Sequence, residues 1–333
     1  MLKYSKLKQE NLDKLVLKAQ LGEKVEVVDM TVGEATDFVL KYLKDGDIRC
    51  LELIPEDIRN NAEFMEFVLE LAIKRKIYTE TMEKYFGSEL KKNAEFCSRY
   101  IELHVSRWSA YESTFIRNFD KKILKDKKFL IGEIEKPRFS APKQNKDGIY
   151  YQDEDFSKKA NIILALFMNA RTAGVPISDK KVIKSAQAQA LKCLENCMEN
   201  NSIAYDLSGL IMTEVDDKVC KDKEIMTELV KVNPYVVRFV NEENLDENLL
   251  LESLRSIVDS KKFSILDSWA FVEDGTYKEL QDENLINLID DMIKLSELRK
   301  MEQKKSTIKK MEKLSDRIEM AFQQLSQVEV AEV

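Results

Sequence analysis

The stretch Lys221–Val258, KDKEIMTELVKVNPYVVRFVNEENLDENLLLESLRSIV, gives one local instruction twice. Asp222 opens Asp-Lys-Glu-Ile-Met-Thr-Glu-Leu, and Asp246, 24 residues later, opens Asp-Glu-Asn-Leu-Leu-Leu-Glu-Ser-Leu. An aspartate just ahead of an apolar-periodic run accepts hydrogen bonds from the free amides of a first helical turn, and acids there suit the positive end of the helix dipole. Between the two starts, Asn233-Pro234 offers a third: a capping side chain followed by proline at the first helical position. The stretch predicts helices joined by short connections.

The same frame occurs twice more. Ile58-Arg59-Asn60-Asn61-Ala62-Glu63-Phe64-Met65 and Leu90-Lys91-Lys92-Asn93-Ala94-Glu95-Phe96-Cys97 lie 32 residues apart, and Val219–Met226 fits them. Each reads apolar, two spacers, Asn or Asp, one residue, Glu, then two apolar or small residues. Asn61, Asn93 and Asp222 take the capping position, and Glu63, Glu95 and Glu224 the first turn. Asp246 and Asp282, each followed by Glu-Asn-Leu, are looser copies. These units resemble a family of short α-helical repeats known only as a domain of unknown function, whose units read Leu-x-Asn-Asp-Lys-Glu-Val-Val before a lysine-rich stretch and a second short helix. The segment Lys221–Leu254 carries the resemblance, with partial units between residues 53 and 104; Asn233-Pro234 stands where the family has an Asn-Gly turn. The resemblance implies stacked helix pairs and brings no catalytic residues. Intervals of 24 to 36 residues between starts are irregular, so a solenoid-like stack and a compact bundle carrying repeat-like pairs both fit.

Composition agrees with helices. In 333 residues there are nine Gly and five Pro, while 34% of side chains are charged, which suits amphipathic helices with short connections. Thr31-Val32-Gly33-Glu34 has capping-box spacing, and Ala35, Phe38, Val39 and Tyr42 then share a face. Pro176-Ile177-Ser178-Asp179 begins a helix running through Ala186, Ala190 and Leu194 toward Met198. Val25-Glu26-Val27-Val28 reads as one short strand. The class is all-α. Residues 132–156, GEIEKPRFSAPKQNKDGIYYQDEDF, lack helical periodicity and hold two of the five prolines. They divide the chain into an N-terminal helical domain, 1–131, with two repeat-like units; a linker or functional loop, 132–156; and a second helical domain, 157–284.

From residue 285 to 333 the pattern becomes that of a long helix. Leu285, Leu288, Met292 and Leu295, then Ile308, Met311, Leu314, Ile318, Ala321 and Leu325, space as a helical seam interrupted by Arg299–Lys305. Three arrangements fit: one long helix docked on the body, a helical hairpin, or a homodimer through 306–326.

Motifs for chemistry are scarce. His104 is the sole histidine. Cys97 lies two helical turns before it, about 10 Å along a helix axis, too far for a Cys–His dyad. Five cysteines (Cys50, Cys97, Cys193, Cys197, Cys220) without a Cys-x-x-Cys pair read as reduced, mostly buried thiols. Asp216-Asp217, Glu242-Glu243 and Asp290-Asp291 are adjacent acids that point to different faces of a helix. Asp45-Gly46-Asp47 lacks the other ligands of a calcium loop. No phosphate-binding glycine loop occurs. A non-enzymatic protein without cofactor or metal is expected. No apolar run of 18 residues suggests a membrane span, and a cytoplasmic location is the expectation.

The local anomaly is basic, in a chain of net charge −7. Arg117, Lys121, Lys122, Lys125, Lys127, Lys128, Lys136, Arg138, Lys143 and Lys146 are interleaved with Phe119, Phe129 and Phe139 and followed by Tyr150 and Tyr151. Cations that track phosphates and rings that stack bases suit single-stranded nucleic acid. The plainer alternative is a solvated helix end and loop, since Asp120, Asp126, Glu133, Glu135, Asp147 and Asp153–Asp155 dilute the field. From the set we take Arg117, Lys121, Lys122, Lys125, Lys128, Arg138, Phe139, Tyr150 and Tyr151 as candidate binding residues. The expectation is an adaptor, scaffold or inhibitor that binds a protein partner through helix faces and the 132–156 segment. The alternative is a nucleic-acid-binding or regulatory protein using 117–146. Lysine-, isoleucine- and asparagine-rich composition suggests an AT-rich bacterial source, or a phage or mobile element acting on a host complex.

Overall fold

A computed structural model describes residues 2–43, 48–77, 82–105, 116, 118–138, 143–144, 150–151, 155–196, 202–240, 247–260, 283–300 and 305–331. Helices dominate, and the chain is all-α. In order they are α1 (Gln9–Gln20), α2 (Val32–Tyr42), α3 (Glu56–Arg59), α4 (Ala62–Lys74), α5 (Ala94–Val105), α6 (Lys121–Lys125), α7 (Lys127–Glu135), α8 (Phe156–Thr172), α9 (Lys180–Asn196), α10 (Ser202–Glu214), α11 (Lys223–Val232), α12 (Glu247–Ser260), α13 (Glu283–Lys300) and α14 (Lys305–Ala331). Two minimal strand pairs accompany them. Strand β1 (Leu2–Lys3) runs parallel to β2 (Val28–Asp29), at the end of the expected short strand. Strands β3 (Lys143–Gln144) and β4 (Tyr150–Tyr151) are antiparallel.

The repeated frame is a capping device. Asn61, Asn93 and Asp222 accept at 2.9, 3.0 and 3.0 Å from the amides of Phe64, Phe96 and Ile225, three residues on. The Thr31–Glu34 box closes in both directions. Replacing Asn61, Asn93 or Asp222 with alanine orphans one helix-start amide; each variant is expected to lose about 1 kcal/mol in urea unfolding, and Asp222→Asn to keep most of it. Asp246 and Asp282 lie outside the described residues. Asn233 caps as expected, but Pro234–Phe239 is a six-residue 3-10 helix. Asp179 alone caps α9, accepting from Lys181 and Val182, so that helix starts at Lys180 and the preceding Pro176–Ser178 stays outside it.

Contacts gather the chain into two compact units, Met1–Ala186 with Cys197–Ala204, and Gln187–Asn196 with Tyr205–Val333. This differs from the expected break at 132–156, and the physical reason is α8. Its residues Ile162 to Phe167 are buried in succession, so the helix is covered on all sides. It packs against α5, α6 and α7, all of which begin before the expected break. Helix α7 also continues to Glu135. Within the same unit Phe86 meets Phe96, Tyr100 and Phe119 at ring-centroid distances of 5.0, 5.1 and 5.8 Å.

In the second unit, α11, the 3-10 turn and α12 pack on one another, which is the helix pair foreshadowed by the quoted stretch. Buried Asn233 donates to the Gln187 side chain at 2.9 Å, and the Ser208 hydroxyl donates to the same oxygen at 2.9 Å. Helices α13 and α14 form a hairpin. Leu285, Leu288, Met292 and Leu295 on one side, and Ile318, Phe322 and Leu325 on the other, are buried. Asp291 is buried in the hairpin and receives Arg317 at 2.8 Å. The seam considered for a homodimer is thus used within the chain over its C-terminal half, while Ile308 is exposed.

Candidate interaction face on helices α6 and α7

Two consecutive aspartate caps build this face. Asp120 accepts from the Lys122 amide at 2.8 Å to start α6, and Asp126 accepts from those of Lys128 and Phe129 at 2.8 and 3.3 Å to start α7. Ile123, Leu124, Leu130 and Ile134 are the buried side. Helical geometry then turns Lys121, Lys122, Lys125 and Lys128 outward, and all four are exposed. None of these four makes an ion pair among the described residues. Lys121 and Lys125, four apart, share a face.

Lys127 is different: its Nζ donates to Asp179 at 3.1 Å. Burial opposes ionisation of Asp179, but hydrogen bonds from Lys127 and from the Val182 and Lys181 amides outweigh it and hold the carboxyl below its ordinary value. Beside the face lies a cleft of about 240 Å³ whose lining includes Leu124, Lys125, Lys127, Pro176, Asp179 and Val182.

Arg138 does not belong to the exposed set. It is only 1% exposed, and its guanidinium reaches Glu133 at 2.6 Å and Glu102 at 3.3 Å. Ser98 also donates to Glu133, at 2.6 Å, while Lys136 and Arg99 lie 3.6 and 3.9 Å from Glu102. Burial pushes Glu102 toward its neutral form, and Lys136, Arg138, Lys158 and Arg99 outweigh that effect, keeping its carboxyl below the usual range. The Arg138 Nε has no hydrogen-bond partner among the described residues. The Arg138 backbone also anchors the chain, because the Asp155 amide donates to its carbonyl at 2.6 Å and the Asp155 side chain caps α8 through the Lys158 amide. Arg138 and Asp155, which bracket residues 139–154, are therefore held together. Tyr150 and Tyr151 lie in β4 inside that segment. Arg117 and Phe139 lie outside the described residues.

Cys97 is fully buried, and burial, with the nearby Glu133 charge, raises its thiol well above its ordinary value, which disfavours a thiolate nucleophile. Among the described residues Cys50, Cys97, Cys193 and Cys220 form no disulfide. His104 lies in the last turn of α5, and its side chain lies outside the described residues. Among the described residues no group of three His, Cys, Asp or Glu could hold a metal ion, and no helix is long and apolar enough to cross a membrane. The sequence places Glu133 among the acids that dilute the basic field without pairing it with Arg138, and it gives no sign of Asp179, which withdraws Lys127. Glu133 lies five residues before Arg138, whereas no local signal marks Asp179, which meets Lys127 across 52 residues.

The chain matches no family model, no curated protein and no solved structure.

Proposed function

We propose that the protein is a non-enzymatic interaction protein, an adaptor, scaffold or inhibitor, whose contact face is α6–α7 together with residues 139–154. The observation that carries this reading is the set of four exposed lysines without ion-pair partners among the described residues, set on two capped helices ahead of a segment clamped at its base. Unpaired lysines attract an acidic surface and speed encounter with it, so the partner is a protein with an acidic patch. The second reading, a single-stranded nucleic acid, rests on the same lysines with the Tyr150-Tyr151 strand close behind in sequence. The composition extends the first reading to a phage- or mobile-element-encoded protein acting on a host complex.

The test is affinity capture from bacterial extract with and without nuclease. The Lys121→Glu/Lys125→Glu/Lys128→Glu variant is expected to lose a protein partner that wild type retains after nuclease treatment. Replacing 139–154 by Gly-Ser-Gly, with Arg138 and Asp155 kept, is expected to preserve the helical circular dichroism and weaken capture. Equal capture by wild type and both variants would remove this face from the proposal. Enrichment that disappears with nuclease, with a salt-sensitive mobility shift, would establish the second reading.

A further inference from the structure

A second charged cleft of about 380 Å³ lies elsewhere in the Met1–Ala186 unit, lined by Lys24, Val25, Glu52, Arg59, Lys84 and Tyr85. Three cations and one acid face it, yet none of these four makes an ion pair among the described residues. Arg59 is the unusual member. It is half-buried, and desolvation lowers its pKa despite the nearby charges of Glu56 and Glu52. Its Nε donates to the Ile54 carbonyl at 3.0 Å and one terminal nitrogen to that of Tyr85 at 2.7 Å. Two neutral carbonyls thus fix the plane of the guanidinium, and three of its five N–H donors have no partner among the described residues.

The frame around it is rigid. The Gly87 amide donates to the Arg59 carbonyl at 2.9 Å, and the Asn60 side chain accepts from the Glu89 and Leu90 amides at 2.9 and 3.1 Å. A Cβ on Gly87 would lie 2.1 Å from that Asn60 oxygen, so only glycine permits this approach. The Lys91 ammonium donates to the Lys84 carbonyl at 3.2 Å and adds positive charge at the same turn.

A half-buried cation with no carboxylate in contact among the described residues is only partly compensated by Glu56 and Glu52 nearby, and a pre-oriented guanidinium fork matches the geometry of an oxoanion. We propose that this cleft binds the phosphate group of a small ligand, with Arg59 as the oriented donor, Lys24 and Lys84 as flanking charges, and Glu52 accepting from a ligand hydroxyl. The cleft falls in the size range of small-molecule sites, so it takes more than the anion alone. A dianion balances the two lysines, whereas a monocarboxylate leaves one uncompensated.

Isothermal titration of the full chain at low ionic strength, with inorganic phosphate, ribose 5-phosphate and acetate as probes, tests the assignment. The expected result is saturable one-to-one binding of both phosphates, with acetate weaker. Lys24→Gln/Lys84→Gln should weaken phosphate binding about tenfold. Lys121→Gln/Lys125→Gln, at the other basic face, should leave it unchanged. Lys24 and Lys84 are exposed, so the double variant keeps the fold, which circular dichroism verifies. Absence of saturable phosphate binding, acetate binding as tightly as phosphate, or equal weakening by both double variants would overturn the proposal.

Discussion

Arg138→Ala is expected to lose about 3–5 kcal/mol of stability, because it strands a buried carboxylate. The pair concerned is 1% and 7% exposed in its side chains, and the guanidinium sits 2.6 Å from Glu133. Desolvating two ions offsets much of their attraction, so the intact pair contributes modestly; removing one member leaves the full penalty on the other. Glu133→Ala is expected to lose less, because Glu102 at 3.3 Å still faces the guanidinium, whose Nε already has no partner among the described residues. The double variant Glu133→Leu/Arg138→Met should recover most of the loss, since apolar side chains of similar volume need no counter-charge. Urea unfolding followed by far-UV circular dichroism measures all three. If Arg138→Ala unfolds at the wild-type midpoint, the guanidinium is solvated, and Arg138 returns to the basic face from which its burial removed it.

Phe86→Ala is the other large effect, about 3–5 kcal/mol by the same measurement. Phe86 is 2% exposed and meets three rings edge-on. Truncation removes the apolar burial of the side chain and leaves a cavity that Phe96, Tyr100 and Phe119 fill only in part. Phe86→Leu retains volume and forfeits the edge-to-face geometry, so it should lose less than half as much. A loss below about 1 kcal/mol for Phe86→Ala would show that the cluster collapses around the gap. Phe86 also precedes Gly87, whose amide holds the Arg59 carbonyl. Phe86→Ala should therefore weaken phosphate binding even in conditions where the chain stays folded, whereas Arg138→Ala should not.

Much of the helical layout is legible in the sequence, and the reason is range. Thr31, Asn61, Asn93 and Asp222 each bond an amide three residues away. Misplaced features share the opposite property. Lysine density between Arg117 and Lys146 reads as one basic patch, but the structure keeps Lys121, Lys122, Lys125 and Lys128 exposed and pairs Lys127 with Asp179. A proline-bearing segment without periodicity reads as a domain break, yet α7 and α8 on its two sides pack together. Prolines report only that the helix stops.

By itself, then, the sequence determined that the chain is helical, where several helices start and which faces are apolar, because capping bonds and the 3.6-residue period act over three or four positions. Tertiary structure alone decided which charges are neutralised and which are left facing solvent. Arg138 is buried against Glu133, five residues away, and Glu102, 36 residues away. Lys24, Arg59 and Lys84, spread over 60 residues, came to line one cleft. Charge pairing falls steeply with separation in space, and separation along the chain does not predict it until packing has set the distances.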